Sequence, residues 1–184
     1  MSEHEPATAS ANQQIPEPWL RGTLMEIRAV PRAVLHALEL AGEDLRKWCG
    51  ALTDLELTAR PADLPPVAFH LRHIARSIDR LLTYAEGRQL THPQLAALRE
   101  EMDLGASHDA LFAELMSALT QSAQRVRALA LADLEQPRIV GQKRLPTTVG
   151  GLLVHVADHT QRHVGQAVTT AKIVVAQRAQ IFAS

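Results

Sequence analysis

Five of the nine histidines in the chain fall in two short segments, and their spacing is that of a metal site. His155, His159 and His163 stand four apart in HVADHTQRHVGQ, while His70 and His73 lie in FHLRHIARSIDRLL. Helical residues at i and i+4 share a face with Cβ atoms about 5 to 6 Å apart, close enough for two imidazoles to meet one ion; residues eight apart are not. One metal ion would therefore take two of the three, and helix phase selects the pair. With Val149 as zero and about 100° per residue, the apolar set Val149, Leu153, Val156, Val164, Ala167, Ala171 and Val174 centres near about 20°. On that wheel His163 lies at about 320°, His159 at about 280° and His155 at about 240°. His159 and His163 are the favoured pair, and His155 turns outward.

The other histidine segment brings a third imidazole from a different amphipathic helix. Relative to Val67, His70 sits nearer the apolar centre and His73 on the flank, so periodicity alone prefers His70 as the buried group. One of the two can equally be a core histidine or one that supports a ligand from behind. Three neutral imidazoles around an open position make the ligand set of a catalytic rather than a closed structural zinc site. Asp158 and His155 are candidates for orienting the ligands, although solvated helix positions explain both. His4, His36, His92 and His108 are isolated and read as surface or packing residues.

Rival chemistries lack their residues. No Glu-x-x-His pair supports a carboxylate-bridged di-iron bundle. No His-Glu-x-x-His, Cys-x-x-Cys-His or glycine-rich phosphate loop occurs. Cys49, the single cysteine, excludes an intrachain disulfide and fits a reducing cytoplasm. Beside Trp48 near a helix end, it reads as a small buried hydrophobe.

The elements that must position these imidazoles are helices. The 184 residues are 46% hydrophobic but only 3% aromatic, and Ala and Leu are abundant, which favours helices packed by aliphatic side chains in one domain. The net charge of -1, with acids and bases interspersed, gives no footprint for nucleic acid or an anionic membrane. No apolar run approaches the roughly 20 residues that span a bilayer. Met1 to Gln14 is polar, without Lys or Arg, and reads as a disordered tail rather than a secretory signal. Residues 15–184 are then one domain, expected in the cytoplasm.

Apolar periodicity predicts helix one over about Pro31 to Leu52, with Leu35, Leu38, Leu45 and Trp48 as its stripe. A proline-rich connection, Thr53 to Pro66, leads to helix two, from Val67 to a stop at Gly87. The next connection contains a short helix at about Pro93 to Met102. Helix three spans about His108 to Leu131, Asp133 to Pro146 is expected to be irregular, and helix four runs from about Thr147 to Arg178. Thr147 or Thr148 can cap it. Gly150 and Gly151 weaken its first turn and suggest the close approach of another backbone. Four helices with at least one long connection describe an all-α four-helix bundle.

The segments HLRHIARSIDRLLTYAEG and GGLLVHVADHTQRHVGQ, at this separation, resemble the DinB superfamily over roughly residues 25 to 178. The resemblance implies an up-down-down-up bundle with a long crossover, and a metal held by one His of helix two and the His-x3-His of the last helix. Carried over, the ligands are His73, which is followed by Ile-Ala, with His159 and His163. Phase and resemblance thus disagree about the third ligand. The resemblance also implies a divalent ion, Zn or Ni, and small-molecule chemistry: transfer of a low-molecular-weight thiol to an electrophile, or thiol-assisted isomerisation of maleylpyruvate. It implies a homodimer as well. The same ligand set could activate water for hydrolysis, and a noncatalytic metal-binding protein is the alternative of a different class.

Overall fold

The computed structural model describes residues 15–102 and 105–181. The expected tail over residues 1–14, with His4, lies outside them. Four long helices pack side by side: α1 (Ala29–Cys49), α3 (Val67–Ala85), α5 (His108–Ala128) and α6 (Val149–Ile181). Two short helices, α2 (Asp54–Thr58) and α4 (His92–Arg99), lie in the connections that flank α3. No described helix is long and apolar enough to cross a membrane.

Around the bundle α1 packs on α6 and α5, and α3 packs on the same two helices. Helices α1 and α3, successive long helices in the chain, are thus diagonal partners, and the connection between them has to pass from one side of the bundle to the other. Where α3 meets α6, His70 lies beside His163 and His73 beside His159, while Ala85 clusters with Leu152. The two helices are antiparallel there, and their first-turn and mid-helix histidines face each other.

The core is aliphatic, as the composition implied. Leu45, Leu71, Ile74, Ile78, Leu82, Leu111, Leu115 and Leu153 are fully buried or within 1% of it. Every apolar position used to phase the last helix, from Val149 to Val174, is buried. Trp48 departs from its expected place in the α1 stripe. It is 38% exposed, with the ammonium groups of Lys47 and Lys172 over its ring at 4.9 and 4.0 Å. Cation–π attraction suits a large aromatic at the rim better than a seam filled by Leu and Ala. Pro31 sits in the first turn of α1, where its missing amide has no helical acceptor to lose.

The connections hold more regular structure than their prolines suggested. At α2, Thr53 and Glu56 form a reciprocal capping box. The Glu56 amide donates to Thr53 Oγ1 at 3.3 Å and the Thr53 amide to the Glu56 carboxylate at 2.9 Å. Thr91 and Gln94 do the same for α4. The expectation of an irregular Asp133–Pro146 is corrected by an antiparallel hairpin, β1 (Pro137–Val140) with β2 (Leu145–Thr148). A two-stranded ribbon consists only of edges, so Pro137 at the start of its strand and Pro146 opposite Ile139 are tolerated. Gly141, at φ 69°, makes the left-handed turn between the strands.

The hairpin delivers the chain to α6. Thr148 Oγ1 accepts from the Gly151 amide at 3.0 Å, as a helix cap should. The Gly150 amide donates to the Leu134 carbonyl at 2.8 Å, and a Cβ on Gly150 would lie 3.1 Å from that oxygen. This is the close backbone approach that two adjacent glycines announced.

Candidate metal centre

Helices α3 and α6 bring His73, His159 and His163 together, with one ring nitrogen of each within 4.8 Å of the others. His73 Nε2 is 2.9 Å from His159 Nε2. The His163 ring centroid lies 4.3 Å from that of His73 and 4.6 Å from that of His159. All three side chains are half-buried, so the cluster has a face open to solvent. His155 stays outside it: its side chain is 48% exposed, as the wheel required. Asp158 is also at the surface, where it accepts from Arg162 at 2.6 Å.

His70 is 1% exposed, so phase read its burial correctly. Burial does not bring it into the three-histidine group, however. From the core side of α3, His70 reaches only His163, with its Nδ1 3.1 Å from His163 Nδ1. His73, on the flank of the same helix, is the residue that meets both histidines of α6. Of the remaining described histidines, His36 is buried against Thr23 at 3.2 Å, His108 pairs with Asp109 at 3.0 Å, and His92 is exposed at the start of α4.

One member of the site has no motif in the sequence. Glu101, beyond the end of α4, accepts from His73 Nδ1 at 2.7 Å through one oxygen and from Arg80 at 2.5 Å through the other. Its burial alone would raise its pKa, but the hydrogen bonds from His73 and Arg80 outweigh that and hold the carboxyl below its ordinary value. The ionised carboxylate fixes the hydrogen of His73 on Nδ1 and leaves the Nε2 lone pair facing the other two rings. This is the carboxylate–histidine arrangement that orients a metal-bound imidazole and increases its basicity.

A family model described as the DinB superfamily matches residues 37–167. The chain belongs to the DinB superfamily. The match runs from α1 into α6 and includes all three clustered histidines. Among solved structures the fold resembles YfiT from Bacillus subtilis, described as a probable metal-dependent hydrolase with an unusual four-helix bundle topology. The TM-score is 0.58 and the identity 14%, over 94% of each chain. A search of curated proteins found no match.

The donor set of this DinB chain fits a divalent ion. Two neutral imidazole nitrogens 2.9 Å apart can share one hydrogen at most. Among the described residues Glu101 meets the cluster only from behind, at His73 Nδ1, where Arg80 shares its charge, and no carboxylate oxygen joins the three grouped ring nitrogens. Burial first, and the nearby His73 second, push His70, His159 and His163 down to about 4. They are neutral at pH 7, the form that offers a lone pair to a metal.

The sign of the pH dependence follows. Between the ordinary value of 6.5 and about 4 the unfolded chain takes up protons at these positions and the folded chain does not, so acid favours unfolding in that window. The melting temperature of metal-free protein is expected to hold above pH 6.5 and to fall as the pH drops toward 4. Proton NMR titration of the imidazole resonances separates this effect from that of the carboxylates. Midpoints near 6.5 for all three would contradict the burial argument.

Proposed function

We propose that this chain is a divalent-metal-dependent enzyme, with His73, His159 and His163 as the ligands, that transfers a low-molecular-weight thiol to an electrophile. The observation that carries the reading is the convergence of three imidazoles on an open face, one of them held by a buried carboxylate. A closed structural site would surround the ion with four protein ligands, whereas three leave a position for a reactant. Zinc and nickel both suit imidazole donors. A bound divalent ion would supply positive charge that favours the thiolate over the thiol.

The chain's own residues have separate parts in this scheme. Glu101 and Arg80 set the tautomer and direction of His73, and His70 engages His163 from the core side. Cys49 is fully buried and its thiol is pushed up to about 12 by burial, so the reacting thiol comes from solution. The proposal takes the helix order as up-down-down-up. Supporting contacts are Gln161 on the Ala37 carbonyl and Lys172 on Trp48, which pair α6 with α1 in parallel, and Arg76 with Glu114 and Arg125 with Glu86, which pair α3 with α5 in parallel.

Hydrolysis is the second reading, because three imidazoles can also serve to activate water and YfiT is described as a probable hydrolase. The test is to load the protein with zinc or nickel and to offer glutathione, bacillithiol or mycothiol with an electrophile, beside an activated ester without thiol. Thiol-dependent turnover abolished in His159→Ala supports transfer. Ester cleavage that ignores the thiol supports hydrolysis. No turnover in either arm, with a large loss of melting temperature in chelator, would leave a metal that only stabilises the bundle.

A further inference from the structure

The buried His70 ring has one nitrogen, Nε2, with no hydrogen-bond partner among the described residues. The ring is 1% exposed, and Nδ1 is engaged at 3.1 Å by Nδ1 of His163. Two imidazole nitrogens in contact share one hydrogen. If His163 offers Nε2 to a metal ion, as the proposed function requires, its own hydrogen sits on Nδ1 and is donated to His70. The hydrogen of His70 is then on Nε2, and a protonated ring would carry one there too. Among the described residues no group accepts from His70 Nε2, and a buried donor left without an acceptor is both rare and costly.

His70 also forms part of the wall of a cavity of about 410 Å³, within the range of small-molecule sites. Leu64 and Pro65, in the segment before α3, line one side, and Arg162, Gln166 and Thr169 of α6 line another. Arg162 contributes the single charged side chain of the wall, and its guanidinium is also paired with Asp158 at 2.6 Å. A largely apolar cavity with a buried N–H donor and a guanidinium at its rim is suited to an oxygen acceptor bearing negative charge on an apolar body.

We propose that this cavity is a substrate subsite in which a small rotation of the buried His70 ring presents Nε2–H to the carboxylate of a small organic acid, with the rest of the molecule directed past His163 to the metal centre. The subsite rests on the metal-centre reading for the direction of the His163 hydrogen, and it names the substrate class of that centre as carboxylate-bearing. His70 is then both a positioning residue for His163 and a binding residue for substrate.

The test uses full-length ¹⁵N-labelled protein, with and without zinc, titrated with hexanoate and with hexan-1-ol. Long-range imidazole spectra of the zinc-loaded protein are expected to show His70 protonated at Nε2, with that signal moving on addition of hexanoate and not of hexanol. Two variants divide the ring's functions, since a Gln amide nitrogen reaches the position of Nε2 and an Asn amide that of Nδ1. His70→Gln is expected to keep hexanoate binding, and His70→Asn to weaken it about ten- to a hundredfold, the value of one hydrogen bond to a charged acceptor. Zinc stoichiometry in His70→Asn should be that of the wild type. Hexanoate should also bind the zinc-free protein, where the carboxylate itself selects the His70 form with its hydrogen on Nε2, and this excludes direct ligation of the carboxylate by the metal.

The proposal is overturned if His70 is unprotonated at Nε2 in the zinc-loaded protein, if hexanoate binds wild type and His70→Asn alike, or if binding vanishes with the zinc. Should His70→Asn fail to fold, the wild-type nitrogen spectra decide. If zinc fails to bind at all, the metal-centre reading falls, while the hexanoate arm in zinc-free protein still decides the subsite.

Discussion

In His159→Ala, bound zinc is expected to fall from one ion per chain to a trace, with affinity reduced about a hundred- to several-thousand-fold. A protein zinc site is worth roughly 10 to 16 kcal/mol at neutral pH, so one of three ligands carries on the order of 3 to 5 kcal/mol of it. Ala removes the imidazole and leaves His73 Nε2, now 2.9 Å from nothing, with one ring fewer to share an ion. His73→Ala and His163→Ala should behave alike. His155→Ala is the internal control, because its exposed ring belongs to the same row of the helix and lies outside the cluster. Metal content by mass spectrometry and competition with a chromogenic chelator measure both quantities. Equal losses in His155→Ala and His159→Ala would sink the assignment of the ligands.

The same experiment extended to Glu101 separates charge from hydrogen bonding. Glu101→Gln keeps an oxygen to accept from His73 Nδ1 but loses the charge that Arg80 neutralises. Replacement of such a supporting carboxylate typically costs about ten- to a hundredfold in metal affinity, and Gln belongs at the lower end of that range. Glu101→Leu, which removes the acceptor and lets His73 turn, belongs at the upper end.

What was legible in the sequence, and what was not, divides along the range of the interactions. The last helix could be read in detail because burial on a helix is periodic: the apolar phase placed His163 and His159 nearer the core than His155 and turned His155 away. The same rule applied to α3 identified the buried histidine, His70, and for that reason pointed away from His73, since a residue that reaches a solvent-open cluster stands on the flank of its apolar stripe. Only the resemblance to the family named His73. Glu101 was beyond both kinds of reading. It lies 28 residues from His73 and next to Glu100, and nothing local distinguishes two adjacent acids until α4 docks on the bundle. The hairpin before α6 was hidden by its prolines, and in the same way the prolines after Thr53 drew the reading to a plain connection and away from the capping box of Thr53 and Glu56.

Ile74→Ala is expected to cost about 2 to 5 kcal/mol of stability while leaving one zinc site per chain. Ile74 follows His73 in α3 and is fully buried within the cluster that joins α3 to its neighbours. Alanine removes three carbons from a packed interior, so the loss combines apolar transfer with the cavity left behind. For a chain of this size the melting temperature of metal-free protein should drop by roughly 5 to 20 °C. Zinc at a thousandfold excess over its dissociation constant returns about 4 kcal/mol, because it binds the folded chain, and should restore most of the fall. Calorimetry with and without zinc, beside a chelator competition, reads the two effects separately. The ligand variants are expected to do the reverse, with metal-free stability near wild type and no rescue by zinc. If Ile74→Ala instead kept its fold and lost zinc as completely as His159→Ala, the position of His73 would depend on core packing rather than on the grip of Glu101 and Arg80.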